Sequence, residues 1–222
     1  MVLSIKTAVN RNSKILALFA IACTAIVGLI HSLTKDQIVF QQQQDLLRNL
    51  NSIITEDSYN NVIYRDCYIL SGAALGTVDS QKVYRARNNK NPIAAAITTV
   101  APDGYSGNIE LLIAININGS VSGVRTLKHQ ETPGLGDKIE VRKSDWIKSF
   151  NTQKLANKND SRWLVKKDGG MFDQFTGATI TPRAVVRAVK NTVIYFNEHK
   201  DKIFESESNC QNTDSVKEAL PS

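Results

Sequence analysis

The sequence predicts an α+β fold: a single N-terminal transmembrane helix, then one domain whose antiparallel sheet is flanked by helices. Three features carry that expectation. Residues 15–34 contain no Asp, Glu, Lys or Arg and consist mostly of Leu, Ile, Ala, Val and Phe. From Lys82 to Lys128, β-branched runs alternate with turn residues. From Pro182 to about Lys200, apolar residues recur at helical spacing.

The apolar run is long enough to cross a bilayer as a helix. Lys6, Arg11 and Lys14 precede it, and Lys35 and Asp36 follow it. An excess of basic residues stays on the cytoplasmic side, so residues 1–14 are expected in the cytoplasm and the remainder across the membrane. The run is longer than a cleavable signal peptide needs. Ala20-Ile21-Ala22-Cys23 is only a loose lipoprotein signal, with about ten uncharged residues still to come. A retained anchor is therefore expected. Thr34 to Thr55 reads as a helix continuing from it, with Ile38, Gln42, Leu46, Leu50, Ile53 and Ile54 along one side.

The domain after the anchor, residues 35–204, is read in order. Val62 to Leu70 is a strand or a short helix. Val83 to Arg87 alternates as a strand does, Asn88 to Pro92 turns, and Ile93 to Val100 is the next strand. Pro102-Asp103-Gly104 is a turn signal. Ile109 to Ile117 is apolar enough to be central, Asn118-Gly119 is a favoured hairpin turn, and Val121 to Lys128 returns. Three or four strands thus make a meander. Ser144 caps a short helix ending near Phe150, and Arg162 to Lys167 reads as a strand closed by Asp168-Gly169-Gly170. The last helix has Thr181 as its expected N-cap and Pro182 as its first residue, with Val185, Val186, Val189, Val193 and Phe196 on its buried stripe. Residues 205–222 form a polar tail, expected to be mobile apart from Cys210.

Composition excludes several functions. A net charge of +6 is spread along the chain, with no basic block interleaved with aromatics, which argues against nucleic acid. The three cysteines form no Cys-x-x-Cys pair or Cys/His cluster, which argues against zinc or iron–sulfur ligation. Cys23 lies in the apolar run. An exported domain permits a bridge between Cys67 and Cys210, and two unpaired thiols are the other reading. His129 and Glu131 lack a visible third metal ligand. There is no P-loop, no Gly-x-Gly-x-x-Gly and no Ser/His/Asp arrangement, so no independent catalytic apparatus is expected.

The stretch with the most chemical content is Asp173-Gln174-Phe175-Thr176-Gly177-Ala178-Thr179, placed just before the last helix. Its spacing alone fits a capped loop, although free N–H groups at a helix start also favour a phosphate. Asp-x-x-Thr-Gly-Ala-Thr resembles the flavinylation motif of the FMN-binding domains in Rnf/Rsx and sodium-pumping NADH:quinone reductase complexes. His129-Gln130-Glu131-Thr132-Pro133-Gly134-Leu135-Gly136 resembles the same family's Glu-Thr-Pro-Gly-Leu-Gly segment. The likeness runs from about Ile15 to Glu198 and is nearest to the G subunit of the Rnf/Rsx type.

That resemblance implies one FMN-binding domain with a half-barrel-like sheet. FMN would be covalently attached to Thr179 as a phosphoester, installed from FAD by a flavin transferase, making the chain a phosphoprotein. Asp173, Thr176, Gly177 and Ala178 match the rest of the motif, and Glu131, Thr132, Leu135 and Gly136 would lie against the isoalloxazine ring. Lys166 and Lys167 stand where they could neutralise the phosphate, or simply face solvent. The implied role is electron relay within a multi-subunit, ion-translocating complex of the bacterial inner membrane, with the domain in the periplasm. Two rival readings are the C subunit of the sodium-pumping quinone reductase and, of another class, a non-redox exported binding or assembly module.

The charge asymmetry gives a direct test of orientation. Green fluorescent protein fused after Ser222 and exported through the Sec route should stay dark in intact cells. Bright fluorescence would reverse the topology drawn from Lys6, Arg11 and Lys14.

Overall fold

The computed structural model describes residues 2–70 and 73–210. Two compact units divide the chain near Leu46. The first ends at Leu46 within helix α1 (Val2–Ile53), whose last residues, Leu47 to Ile53, belong to the second. Among the described residues, α1 is the one helix long and apolar enough to cross a membrane. Its apolar side chains from Ile15 to Leu33 are exposed, as a lipid-facing helix requires. Thr24 and Thr34 donate their hydroxyls to carbonyls one turn back, Ala20 and Ile30, so neither polar group is left unpaired.

The second unit is built on five antiparallel strands in sequence order: β1 (Cys67–Leu70), β2 (Gln81–Asn88), β3 (Asn91–Gly104), β4 (Gly107–Asn116) and β5 (Val121–Lys128). The sheet is open and is buried on both faces. One face sends Ala95, Ile97, Ile109, Leu111, Ile113 and Ile115 into the main apolar cluster. Leu112 and Ala114, the alternate residues of β4, are equally buried on the other. There Ile53, at the end of α1, presses on Gly123 so closely that a Cβ at Gly123 would sit 2.8 Å from it. Ser122 donates to Ile53 O at 2.6 Å.

Helix α2 (Ile180–Glu205) covers the main-cluster face. Val185, Val189, Val193 and Phe196 are fully buried, as its periodicity predicts. Each such side chain contributes about 1.5–3 kcal/mol. At its C-terminal end two arginines take the last carbonyls. Arg85, only 2% exposed, donates to Ile203 O at 2.9 Å, and Arg87 donates to Phe204 O at 2.7 Å. Both also pair with Asp66, so the buried guanidinium is satisfied on every side that the fold shows.

Local differences from the sequence reading have physical causes. The turn expected at Asn88 to Pro92 narrows to Asn89 and Lys90, both at positive φ (49° and 70°), and Pro92 lies inside β3 opposite a bulge at Ala86/Arg87. Pro102-Asp103-Gly104 is not the next turn. β3 continues through it with a register shift, and the chain reverses at Tyr105 and Ser106. Arg162 to Lys167 is no strand: it makes one bridge, Val165 to Phe172, and a 3-10 turn, Lys166–Asp168. The meander has five strands because the edge strand β1 is recruited from the segment that fits strand and helix equally well. The start of the tail is tied down. Asn209 donates its N–H to Cys67 O, its side chain accepts from Ile69 N at 2.6 Å, and Ser208 bonds Cys67 as well. These bonds cover the open edge of β1. The mobility expected for residues 211–222 lies outside the described residues.

Cys67 and Cys210 are joined as a disulfide, with Cα atoms 5.6 Å apart and a separation of 143 in sequence. A non-reduced digest of the protein should therefore yield the two cysteine peptides linked. The chain-entropy model gives about 5 kcal/mol for so long a loop, so reduction should lower the denaturation midpoint. Alkylatable thiols at both positions would refute the bridge.

Candidate functional site

The region around Thr179 is held from three directions. Beneath it lies an aromatic cluster: Phe150 packs on Phe172 at 4.4 Å between ring centroids, and Trp146 meets Phe175 edge-on at 5.0 Å. The Trp146 indole N–H donates to Asp173 O at 2.7 Å, fixing the first residue of the motif. Trp146 itself is set by Ser144, whose hydroxyl oxygen accepts the Trp146 N–H at 3.1 Å. Residues 172–179 then fold into a tight turn. Ala178 N–H bonds Phe175 O at 3.1 Å, with Gly177 in the left-handed region at φ 81°. Thr176 and Gly177 sit exposed at its tip, and Ala178 and Thr179 are half-buried.

The second support is a buried carboxylate. Glu131 is 4% exposed. Its Oε1 accepts from Ser106 N–H at 3.0 Å, and its Oε2 accepts from the hydroxyl of Thr181, which is fully buried. Glycine is required on two sides of it. A Cβ at Gly104 would lie 2.9 Å from Oε1, and one at Gly136 would lie 2.9 Å from both the Glu131 Cβ and the Thr181 hydroxyl oxygen. This arrangement changes the expected helix start. Thr181 does not cap α2, because its hydroxyl is spent on Glu131. The helix begins at Ile180 with Thr179 in the N-cap position, and Pro182 becomes the third helical residue, where its missing N–H costs no intrahelical bond.

The loop after β5 closes onto the motif. Thr132 O accepts from the N–H groups of Leu135 at 3.2 Å and Gly136 at 3.0 Å, curling residues 132–136 back on themselves. Leu135 is 41% exposed, and its Cδ2 lies 3.6 Å from where a Gly177 Cβ would be. Glu131 thus reaches Thr181 and Leu135 reaches Gly177, so the two sequence motifs share one site. His129 bridges Glu131 and Glu140. Its Nδ1 accepts from Glu131 N–H at 3.1 Å, which puts the ring proton on Nε2, 2.8 Å from Glu140 Oε1. That bond, with help from Arg142, holds the Glu140 carboxyl below its ordinary range. No group of metal-ligating side chains occurs among the described residues.

The electrostatics favour an anion at Thr179. Helix α2 has no acidic residue in its first turn, and the Thr179 hydroxyl makes no capping bond. Nearby, Lys166 pairs with Asp173 at 2.6 Å, and Arg183 grips Asp168 through two bonds of 2.6 and 2.5 Å. Hydrogen bonding to Arg183 draws the Asp168 carboxyl below its usual pKa. The clasp therefore contributes fully above pH ~4 and is lost as acid protonates that carboxylate. Ile180 and Leu135 leave apolar surface exposed beside the threonine. An unpaired hydroxyl, free helix N–H groups and bare apolar surface suit a phosphate joined to a flat ring. Sequence reasoning does not reach one further acceptor: Asp137, 6% exposed, has an Oδ1 with no hydrogen-bond partner among the described residues. Nor does it reach Trp146, since a lone tryptophan after a capped turn reads as core. A cleft of about 720 Å³ lies elsewhere, by Asn51, Glu56 and Ser122, and contains none of these residues.

Comparison with known proteins bears on both parts of the chain. A family model described as an FMN-binding domain matches residues 104–194, and one described as the RnfG N-terminal region matches residues 1–53. The G subunit of the ion-translocating oxidoreductase complex of Shewanella oneidensis is 50% identical over 202 residues, covering 90% of this chain and 95% of that protein. The protein of the same name from Pseudoalteromonas atlantica is 48% identical over 207 residues, covering 93% and 96%. That from Aliivibrio fischeri strain ES114 is 47% identical over 206 residues, covering 92% and 98%.

The buried carboxylate makes a quantitative prediction. Thr181→Val keeps the side-chain shape but leaves Glu131 Oε2 without its donor, and should destabilise the protein by about 1–3 kcal/mol. Thr192→Val is the control: it is as buried, but its hydroxyl only bonds Ala188 O in its own helix. Chemical denaturation should show the first change costing clearly more. Equal costs would mean the Glu131 contact carries little.

Proposed function

The chain belongs to the RnfG family, the G subunits of ion-translocating oxidoreductase complexes, and from that premise we propose that it carries FMN covalently on Thr179 and relays electrons through it. The observation that carries this reading is the state of Thr179: half-buried, its hydroxyl without a hydrogen bond among the described residues, and at the start of a helix that has no capping side chain and no acid in its first turn. A phosphoester there supplies the anion the helix dipole favours.

In the attachment step Thr179 Oγ attacks the flavin-side phosphorus of FAD. The Oγ–P bond forms, the pyrophosphate P–O bond breaks, AMP departs, and the hydroxyl proton passes to solvent with no change of redox state. A flavin transferase catalyses it. Once bound, the flavin supplies one- and two-electron transfer. The protein's own residues position it: Gly177 keeps the turn open above Thr179, Leu135 and Ile180 offer apolar surface, and Thr132 and Glu131 hold the loop that carries Leu135. Asp173, Thr176, Ala178 and Gly136 complete the contacts.

Residues 1–14 lie in the cytoplasm, residues 15–34 cross the inner membrane, and residues 35–204 form the FMN-binding domain in the periplasm. The partners are the other subunits of the complex. The match of the RnfG N-terminal model to residues 1–53 favours the G subunit over the C subunit of the sodium-pumping quinone reductase.

Denaturing gels viewed under ultraviolet light test the assignment. The chain expressed with its transferase should fluoresce, Thr179→Ala should fold yet stay dark, and Thr179→Ser should keep part of the signal. Fluorescence undiminished in Thr179→Ala would sink it. A dark unmutated chain would favour the non-redox binding module.

A further inference from the structure

We propose that Arg183 is the residue that holds the phosphate on Thr179, and that Asp168 keeps its guanidinium in place beforehand. The inference rests on the reading that Thr179 carries a phosphoester. Arg183 follows Thr179 by one helical turn: its N–H bonds Thr179 O at 3.3 Å. Side chains four apart share a face, and helical side chains lean toward the N-terminus, so Arg183 reaches back over the turn that begins at Thr179. It is held there by Asp168, which bonds Nε at 2.6 Å and Nη2 at 2.5 Å. Asp168 is itself fixed at the end of the turn Lys166–Asp168, closed by Gly169 at φ 86°.

A cation at a helix N-terminus opposes the dipole, so this placement does not serve α2 by itself. It does serve an anion. The clasp occupies the Nε/Nη2 edge of the guanidinium and leaves Nη1 outside it. One arginine can therefore grip Asp168 and a phosphate oxygen together, as its planar fork allows. Of the other basic side chains, Lys167 makes no ion pair among the described residues and acts on Asp168 only through its charge. Lys166 is paired with Asp173, and Arg187 lies a turn beyond Arg183, 3.2 Å from Asp103. Around Thr179 the charges of Lys166, Lys167 and Arg183 exceed those of Asp168 and Asp173 by one, which is the charge of a phosphodiester.

A purely structural clasp would pin the turn to the helix whether or not flavin is attached, and exposed ion pairs of that kind contribute little. A thermodynamic cycle separates the two roles. Arg183→Gln and Asp168→Asn are each made in the full-length chain with Thr179 and with Thr179→Ala, co-expressed with the transferase. Flavin is read by fluorescence after denaturation, and thermal midpoints by circular dichroism. Arg183→Gln should lower the midpoint by about 3 °C more in the flavin-bearing chain than in the Thr179→Ala chain. Asp168→Asn should likewise cost more when flavin is present, because Arg183 is then no longer held in place for the phosphate. Equal losses in both backgrounds would overturn the proposal and leave the flavin assignment standing. If Arg183→Gln blocks attachment outright, Arg183→Lys decides: restored fluorescence supports a charge acting on the phosphate, and none contradicts it. A dark unmutated chain would strike the parent reading, and Arg183 with it.

Discussion

Glu131 puts a carboxylate inside the domain at a point where three separate segments must meet. The β3–β4 turn supplies Ser106 N–H, α2 supplies the Thr181 hydroxyl, and the loop after β5 supplies the glutamate itself. A buried charge is tolerated only when its acceptors are filled, so these segments are bound to one geometry rather than merely packed. Gly104 and Gly136 reflect the same constraint from outside, because neither position has room for a Cβ beside the carboxylate. The bond also sets the helix start. With its hydroxyl turned inward, Thr181 gives up capping, and the exposed N-terminal position falls to Thr179.

The character of the surface at Thr179 is a consequence of that arrangement. An uncapped helix start has N–H groups with no protein acceptor, and here no acidic side chain stands in for one. The aromatic cluster holds the loop from below through Trp146 and Phe175, so the threonine is presented on a rigid base. Rigidity bears on the proposed relay, since a flavin tethered through a single ester would otherwise swing freely. The fold answers with a short, glycine-bent turn on one side and Leu135 on the other.

Much of this is legible in the sequence where one local rule governs. Val121 to Lys128 and the buried stripe of α2 follow from periodicity, and the helix through residues 15–53 follows from an uncharged apolar run and the pattern after it, while its extension back to Val2 is not foreseen. The resemblance of residues 173–179 is what marks Thr179 as the expected attachment residue. Features decided by distant partners are not legible. Thr181 followed by Pro182 is a sound capping signal, and only Glu131, fifty positions earlier, overrides it. Pro102-Asp103-Gly104 reads as a turn, yet a register shift lets β3 pass through it. Arg85 sits in an alternating strand, and nothing local says that it would be buried beneath the end of α2. Arg162 to Lys167 has strand-like residues but no neighbouring strand to pair with beyond one bridge.

The central claim is that one hydroxyl, singled out by this geometry, bears the cofactor, although Thr176 and Thr181 lie within three residues of it. The most direct measurement is peptide mass spectrometry of the chain purified from its own membrane. Trypsin should release residues 168–183 heavier by FMN less one water, and fragmentation should place that mass on Thr179 alone. Modification at exposed Thr176 or buried Thr181, or an unmodified peptide from flavin-bearing protein, would contradict the account.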